Sequence, residues 1–297
     1  MTGDHRPAPP GLPAADRCLV MGVVNVTPDS FSDGGAWLDP DAAIKHGLDL
    51  AAQGADIIDV GGESTRPGAL RAGPEEELRR VGPVVTGLVS AGLPVSIDTM
   101  RASVAQAALA AGAVLVNDVS GGLADPGMAG LIAAARVPVV LAHWRGHSRQ
   151  MQDRAVYADV VAEVRAELRQ RVDAMTAAGV DPGLIVLDPG LGFAKLPGHN
   201  WTLLASLDQV GRVGGAGSPF PVLAGASRKS FLGRLLAAGD GTPRPFTGCD
   251  DATVAISALA AMSGAWCVRV HSVPGNADAV RVAARWRAAA PGPGGGR

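Results

Sequence analysis

Short apolar runs alternate with longer amphipathic stretches along the chain. Runs rich in Val, Ile and Leu, bounded by turn-forming residues, predict strands that are buried on both faces. The stretches between them predict helices, which begin near residues such as Pro40 and Pro74 and end at glycines such as Gly54. The strands are predicted at 18–24, 56–60, 94–97, 114–116, 138–142, 184–187, 220–224 and 266–270. The helices are predicted at 41–53, 74–90, 101–111, 126–135, 153–178, 199–207, 251–262 and 276–289, with one more that starts within 227–230.

Eight strand–helix units in one chain predict an α/β fold, a single (β/α)8 TIM barrel with its active site at the carboxyl ends of the strands. The main rival is an open, doubly wound sheet. No strand here is followed by its usual G-x-G-x-x-G turn, and residues 225–230 do not match the phosphate-binding loop G-x-x-x-x-G-K-[ST]. No domain boundary interrupts the pattern. We therefore expect one barrel domain at 17–289, between disordered tails at 1–16 and 290–297.

Composition excludes several classes of protein. Of the 297 residues, 47% are hydrophobic and 18% are charged, and the formal net charge is -2, so neither a polycationic nucleic-acid binder nor a disordered chain is expected. The most apolar late stretch, 252–268, is interrupted by Ser257, Ser263 and Gly264 and predicts a buried helix rather than a membrane span. Three cysteines without a C-x-x-C pair suit reduced thiols in the cytoplasm.

Polar side chains collect at the ends of the predicted strands. A single Asp in such a place is more often a helix cap than a catalyst, but a whole set at the catalytic rim of a barrel predicts a binding site. Arg269 and His271 are two residues apart on one strand, so both point to the same side. The strand-end groups are Asn25, Asp98, Asn117, His143, Asp188, Arg269 and His271.

The chemistry of these groups suggests two neighbouring subsites. Asp98, Asn117 and Asp188 offer hydrogen-bond acceptors that suit a flat heterocycle with N–H groups, such as an aminopyrimidinone. The basic residues of the last strand suit an anion, and barrels often bind phosphate after strands seven and eight, where Ser227 is a candidate helix cap. Lys229 lies between the two subsites.

Two strand-end residues need a separate interpretation. Asn25 is a neutral oxygen ligand that suits Mg²⁺ shared with phosphate oxygens, and there is no zinc signature. The loop after Asn25 carries two carboxylates, Asp29 and Asp33, and a large apolar residue, Phe31, that has no obvious core to enter. His143 is ambiguous, and we favour structural support of the pocket for it.

Seven segments together resemble a known family. Residues 25–33, NVTPDSFSD, closely resemble the signature of the bacterial dihydropteroate synthases. The segments 59–68, 96–98, 117–119, 187–193, 227–230 and 269–271 match as well, in order and at suitable spacing. The resemblance spans about residues 18–287, and His143-Trp-Arg145 resembles the actinobacterial branch.

The resemblance implies a transferase of folate biosynthesis. Such an enzyme joins 6-hydroxymethyl-7,8-dihydropterin diphosphate to 4-aminobenzoate and releases 7,8-dihydropteroate and pyrophosphate. It further implies an SN1-like substitution in which Mg²⁺ assists pyrophosphate departure, competitive inhibition by sulfonamides, and a homodimer. No nucleic acid or membrane partner is implied.

The resemblance also implies roles for individual residues. Those expected to bind the pterin are Asp98, Asn117, Asp188, Phe193 and Lys229. Those expected to bind the diphosphate are Asn25 with Mg²⁺, Thr65, Arg66, Arg269 and His271. Those expected to bind 4-aminobenzoate are Phe31, Asp33, Pro67, Lys229 and Ser230. The catalytic set is Asp98, Lys229, Arg269 and His271.

Two alternatives remain open from the sequence. One is a pterin-dependent methyltransferase domain, which would not need residues 227–230 or the aminobenzoate loop. The other is a diverged pterin-binding paralogue without synthase activity. One departure from the family pattern also has a consequence: Ala142 stands where many relatives have Met, which predicts a roomier pterin pocket.

Overall fold

The computed structural model describes residues 8–27, 39–63, 72–146, 152–213 and 219–290. Its strands are β1 (Leu19–Asn25), β2 (Ile57–Gly61), β3 (Val95–Asp98), β4 (Leu115–Asp118), β5 (Val139–Ala142), β6 (Ile185–Asp188), β7 (Leu223–Ala224) and β8 (Cys267–Val270). They form one parallel sheet in the order β6-β5-β4-β3-β2-β1-β8-β7. A parallel bridge between Leu187 and Val222 joins the two ends of this sheet. The predicted (β/α)8 barrel is confirmed.

The helices lie between the strands, as the sequence predicts. They are α1 (Pro40–Ala52), α2 (Pro74–Ser90), α3 (Ala102–Ala110), α4 (Gly127–Ala135), α5 (Val160–Ala177), α6 (Pro197–Ala205), α7 (Leu207–Val210), α8 (Ser230–Leu235), α9 (Asp250–Met262) and α10 (Pro274–Ala289). None of the helices in the described ranges combines the length and the apolar character that crossing a bilayer requires.

Two elements differ from the predicted bounds for identifiable reasons. The helix expected from residue 153 begins at Val160, because the carboxylate of Asp159 caps it by accepting from the backbone N–H groups of Val161 and Ala162, both at 3.0 Å. Strand β7 has only two residues instead of five. Pro219 and Pro221 precede it, and proline has no N–H to donate to a strand ladder.

Two apolar layers hold the barrel together. The outer layer lies between strands and helices, and the inner layer fills the barrel below its mouth with residues such as Met21, Ile57 and Val186. Leu12 is 8% exposed and packs into this inner layer with Trp266. This packing corrects the predicted disorder of the amino-terminal tail for the part around Leu12, because a buried leucine ties the chain to the core. Residues 1–7 and 291–297 lie outside the described residues.

Strand register brings the polar residues to one side of the sheet at the carboxyl end of the barrel. Gly61 pairs with Asp98, Asp98 pairs with Asn117, and Ala142 pairs with Asp188. Since side chains on parallel strands alternate between the inside and the outside of the barrel, residues in register share a side. The mouth of the barrel is therefore lined by groups that are far apart in sequence.

Candidate active site

Four side chains from β2, β3, β4 and β8 form one hydrogen-bonded network in the mouth. Arg269 donates from Nε to Asp59 Oδ2 at 2.6 Å and from Nη2 to Asp98 Oδ2 at 2.7 Å. Asn117 donates from Nδ2 to the same Asp59 oxygen at 3.0 Å. Asp98, Asn117 and Arg269 are thus brought together as the sequence predicts.

Asp59 is a member of this network that the sequence analysis did not single out. It is completely buried, and its Oδ1 has no hydrogen-bond partner among the described residues. Burial of a carboxylate is costly unless a cation compensates its charge, and Arg269, which donates to Asp59 Oδ2, supplies that cation inside the barrel. One feature of the sequence could have identified Asp59 as a site residue: it is a single acid within the apolar run of β2, two residues after Ile57 and therefore on the same side of the strand.

The electrostatics of the network favour a ligand that donates hydrogen bonds. Burial raises the pKa of Asp98 to about 7, against the influence of Arg269 and with a further contribution from Asp59. Burial alone would lower the pKa of Arg269, but Asp59 and Asp98 outweigh it and raise that pKa. One guanidinium therefore serves two carboxylates. A ligand that donates N–H groups to Asp98 would stabilise the negative charge that one guanidinium compensates only in part.

Asp188 ends β6 and lies at the same mouth. A Cβ atom built on Gly225 would lie 3.9 Å from Arg269 Cβ and 3.9 Å from Asp188 Oδ2, so both side chains flank one point. Asp188 Oδ1 accepts from the N–H of Gly190 at 2.7 Å, and burial raises the pKa of Asp188. Gly190 has a φ of +66°, and a Cβ there would lie 2.1 Å from the His143 carbonyl oxygen. Only glycine allows the chain to turn at this point.

Phe193 and Lys229 contact each other close to the charges of Arg269 and Asp188. The Nζ atom of Lys229 lies 4.0 Å from the centre of the Phe193 ring, which is a cation–π contact. Burial lowers the pKa of Lys229 to about 8, and the neighbouring charge of Arg269 lowers it further. Ser230 follows as the exposed first residue of α8.

The loops after β7 and β8 are joined by His271 and Ser227. His271 Nδ1 lies 3.0 Å from Ser227 Oγ, and the backbone N–H of His271 donates to the same oxygen at 3.2 Å. The prediction that Ser227 caps a helix is wrong. Its hydroxyl is engaged with His271, and α8 begins three residues later with Lys229 as its cap residue. Arg269 on β8 and His271 just after it are both basic side chains.

His143 lies behind the mouth rather than in it. It is 2% exposed, with Nε2 at 3.0 Å from Glu167 Oε2 and Nδ1 at 2.9 Å from Lys195 Nζ. Glu167 lies on α5 and Lys195 lies in the loop after β6, which agrees with the interpretation of His143 as structural support of the pocket. Lys195 was not singled out from the sequence.

The segment 64–71 lies outside the described residues, but the residues on either side of it, Glu63 and Ala72, are described. Arg101 forms ion pairs with Glu63 and Glu77 and donates to the Ala72 carbonyl oxygen at 2.5 Å. Arg101 therefore contacts the described residues on either side of the segment. The predicted site residues Thr65, Arg66 and Pro67 belong to this segment, and Phe31 and Asp33 also lie outside the described residues.

Asn25 is the candidate metal ligand and ends β1 in a half-buried position. Within the described ranges, no group of three or more His, Cys, Asp or Glu residues is arranged to hold a metal ion.

The sequence and the structure are both similar to those of known proteins. A profile described as pterin binding enzyme matches residues 21–271. The chain is 58% identical over 273 residues to the dihydropteroate synthase of Mycobacterium leprae (strain TN), over 92% of this chain and 94% of that protein. The structure is similar to that of Yersinia pestis dihydropteroate synthase in a sulfonamide drug complex, with a TM-score of 0.87 and 37% identity over 95% of this chain and 99% of that one. It is also similar to that of Xanthomonas albilineans dihydropteroate synthase with 4-aminobenzoic acid, with a TM-score of 0.79 and 45% identity over 93% of this chain and 95% of that one.

Proposed function

The chain belongs to the dihydropteroate synthase family, and from this premise we propose which of its residues perform each part of the reaction. The enzyme is a transferase that condenses 6-hydroxymethyl-7,8-dihydropterin diphosphate with 4-aminobenzoate to 7,8-dihydropteroate and pyrophosphate. Methyl transfer and a non-catalytic role are not favoured, because relatives that match nine-tenths of this chain are dihydropteroate synthases. The observation that carries the proposal is the network of Asp59, Asp98, Asn117 and Arg269.

The pterin is recognised by acceptors at three strand ends. Asn117 donates its Nδ2 to Asp59, which leaves its Oδ1 as an acceptor for a ligand. Asp98 and Asp188 are partly accessible carboxylates at the carboxyl ends of β3 and β6, and the amino and ring N–H groups of a pterin match such acceptors. Phe193 and Lys229 complete the pocket with an aromatic face and a cation.

Basic side chains bind the diphosphate. Arg269 uses Nε and one N–H of Nη2 for Asp59 and Asp98, so the second N–H of Nη2 and both of Nη1 are left for a ligand. His271 lies two residues further along the chain. Asn25 offers a neutral amide oxygen, and the diphosphate would supply further oxygen ligands, a donor set that fits Mg²⁺. Mg²⁺ held there would neutralise charge on the departing pyrophosphate.

The substitution proceeds by bond cleavage before attack. The dihydropterin ring pushes electron density toward its CH2 group, so the C–O bond can break and the electron pair leaves with pyrophosphate. The carboxylate of Asp98 favours the positive charge that remains, and Arg269 and His271 favour the charge that departs. The amine nitrogen of 4-aminobenzoate then forms the C–N bond and releases a proton. Since an arylamine is already nucleophilic, positioning is the main requirement.

The 4-aminobenzoate subsite combines Lys229 and Ser230 with Phe31, Asp33 and Pro67 of the first two loops, whereas Thr65 and Arg66 are assigned to the diphosphate. Structural relatives carry 4-aminobenzoic acid in one case and a sulfonamide drug in another, which supports the same ligands for this chain. Sulfonamides would then compete with 4-aminobenzoate. We also propose that the enzyme acts in the cytoplasm, where its three buried, free cysteines stay reduced, and that it forms a homodimer.

An assay with the purified protein tests the proposal. Dihydropteroate should form from the two substrates with Mg²⁺, stop when a chelator removes the metal, and resume when Mg²⁺ is added back. Raising the concentration of 4-aminobenzoate should reverse inhibition by a sulfonamide. Tight pterin binding without product formation would instead identify a non-catalytic paralogue.

A further inference from the structure

Lys195, in the loop between β6 and α6, is a buried lysine that the reaction above does not use. It is 4% exposed. Its Nζ donates to the carbonyl oxygens of Gly190 and Phe193, both at 3.0 Å, and to His143 Nδ1 at 2.9 Å. An ammonium group has three protons, and here three acceptors use them all. A buried amine that contacts three partners within 3.0 Å has a fixed position.

His143 and Glu167 hold Lys195 from the other side. Because the lysine donates to His143 Nδ1, the imidazole proton resides on Nε2, which donates to Glu167 Oε2 at 3.0 Å. Glu167 is fixed on α5 by Arg145, whose Nε donates to its Oε1 at 3.1 Å. Burial lowers the pKa of His143 to about 4, with a further contribution from Lys195, so the ring is neutral at pH 7. A continuous chain of contacts thus runs from α5 to the loop after β6.

The two carbonyl groups that Lys195 holds belong to residues next to the pterin subsite. Gly190 donates its N–H to Asp188 and accepts from Lys195, so it couples these two side chains directly. Phe193 has its carbonyl held by Lys195 and its ring against Lys229. Ala194 adopts a left-handed φ of +47°, a conformation that persists in a non-glycine residue only when its neighbours fix it. Tyr157 adds to this by donating its hydroxyl to the Ala194 carbonyl at 3.0 Å.

We propose that Lys195 is a positioning residue for the pterin, which it serves by fixing Asp188 and Phe193 through the Gly190 and Phe193 carbonyls, with His143 and Glu167 as its supports. The inference rests on the proposed function in assigning Asp188 and Phe193 to the pterin. Burial lowers the pKa of Lys195 to about 7, and the charges of Asp188, Arg145, Glu167 and Lys229 act on it as well. Loss of Lys195 should therefore weaken pterin binding and leave the binding of 4-aminobenzoate largely unchanged.

The test compares Lys195→Met with Lys45→Met. Lys45 lies on α1 with a 77% exposed side chain, so it receives the same substitution away from the mouth. The dissociation constant of the dihydropterin diphosphate is measured by calorimetry, and KM is measured for both substrates. We expect Lys195→Met to raise the pterin constants by about tenfold to a hundredfold, while Lys45→Met matches the wild type. A folded Lys195→Met protein that binds pterin like the wild type would overturn the inference. Failure of the wild type to bind pterin would instead overturn the proposed function.

Substitutions of His143 separate positioning from general packing and serve also where Lys195→Met does not fold. His143→Asn keeps an acceptor near the Nδ1 position for Lys195, whereas His143→Leu removes it. We expect His143→Leu to weaken pterin binding as Lys195→Met does, and His143→Asn to restore most of the affinity. A purely structural role would lower the melting temperature of both variants without separating their pterin affinities, and that result would refute the inference.

Discussion

Arg269 on β8 donates a 2.7 Å hydrogen bond to Asp98 at the end of β3, although 171 positions separate the two residues in sequence. Strands β1 and β2 lie between β3 and β8 in the sheet, so the contact crosses the mouth of the barrel rather than joining neighbours. The proposed reaction places the pterin at Asp98 and its leaving group at Arg269. In that reaction the C–O bond that breaks joins the pterin to its diphosphate. The Asp98–Arg269 pair therefore lies close to this bond.

Removal of Arg269 should abolish most of the turnover. Arg269→Ala takes away the cation that stabilises the departing pyrophosphate, and loss of one such group costs about a hundredfold or more in kcat. Steady-state kinetics and circular dichroism measure turnover and folding. Arg17→Ala is the matched control, because Arg17 also makes a half-buried ion pair, with Asp56 at 2.7 Å, but these two residues precede β1 and β2 and lie away from the carboxyl ends of the strands. The control should lose stability and keep its turnover. Near-normal rates for Arg269→Ala would contradict the mechanism.

Removal of Asp98 should act mainly through the pterin. Asp98→Ala deletes an acceptor for the pterin N–H groups and the negative charge that favours the developing cation. We expect kcat/KM for the dihydropterin to fall by about a hundredfold or more while the protein still folds. Kinetics at varied pterin concentration, together with thermal unfolding, give both quantities. An unchanged kcat/KM in a folded variant would rule out the assigned role.

Substitution of Asp59 should affect both activity and stability. Asp59→Asn removes the charge that holds Arg269 and disturbs the amide of Asn117. Breaking a buried ion pair on one side costs about 3 kcal/mol of unfolding free energy. The control is Asp56→Asn, which disturbs the pair with Arg17 away from the mouth. Denaturant titration should show losses in both variants, whereas only Asp59→Asn should lose activity. Full activity of Asp59→Asn would show that Asp59 does not position the site.

The sequence predicts those parts of the fold that local chemistry determines. Helix α2 has its predicted bounds, because Pro74 starts it and three glutamates occupy its first turn. The strand-end residues Asp98, Asn117, Asp188 and Arg269 meet because parallel strands of a barrel all end at one rim. Partners across the barrel cannot be read from a linear pattern. Asp59 is a single acid within a predicted apolar strand, and nothing local indicates its contact with Arg269. The role of Lys195 depends on His143 and the loop carbonyls, which only the fold brings around it.

The stability of the protein should fall in mildly acidic solution, and His143 should account for part of this fall. Its pKa is lowered to about 4 by burial and by Lys195, whereas an unfolded histidine titrates at about 6.5. Between these values the unfolded state takes up a proton that the folded state does not. The stability is therefore fully present above about pH 6.5 and is lost as the pH falls toward 4, by about 3 kcal/mol. Denaturant titrations of the wild type and His143→Asn at pH 7 and pH 4.5 should give a smaller pH effect in the variant. Equal pH effects would contradict the prediction.

Gly190 offers the sharpest steric test of the pterin subsite. In Gly190→Ala the new Cβ would lie 2.1 Å from the backbone oxygen of His143, so the loop must shift, and Asp188 must shift with it. Crowding of this kind costs about 1–3 kcal/mol, and the left-handed φ of +66° adds about 1 kcal/mol.

Gly92→Ala isolates the backbone strain. Gly92 has a φ of +80°, and a Cβ there would meet no atom within 4 Å. We expect Gly92→Ala to lose about 1 kcal/mol of stability with normal kinetics. Gly190→Ala should lose more stability and bind the dihydropterin about tenfold or more weakly. If Gly190→Ala lost stability but kept its pterin affinity, the turn after β6 would serve the fold alone, and Asp188 would not depend on it.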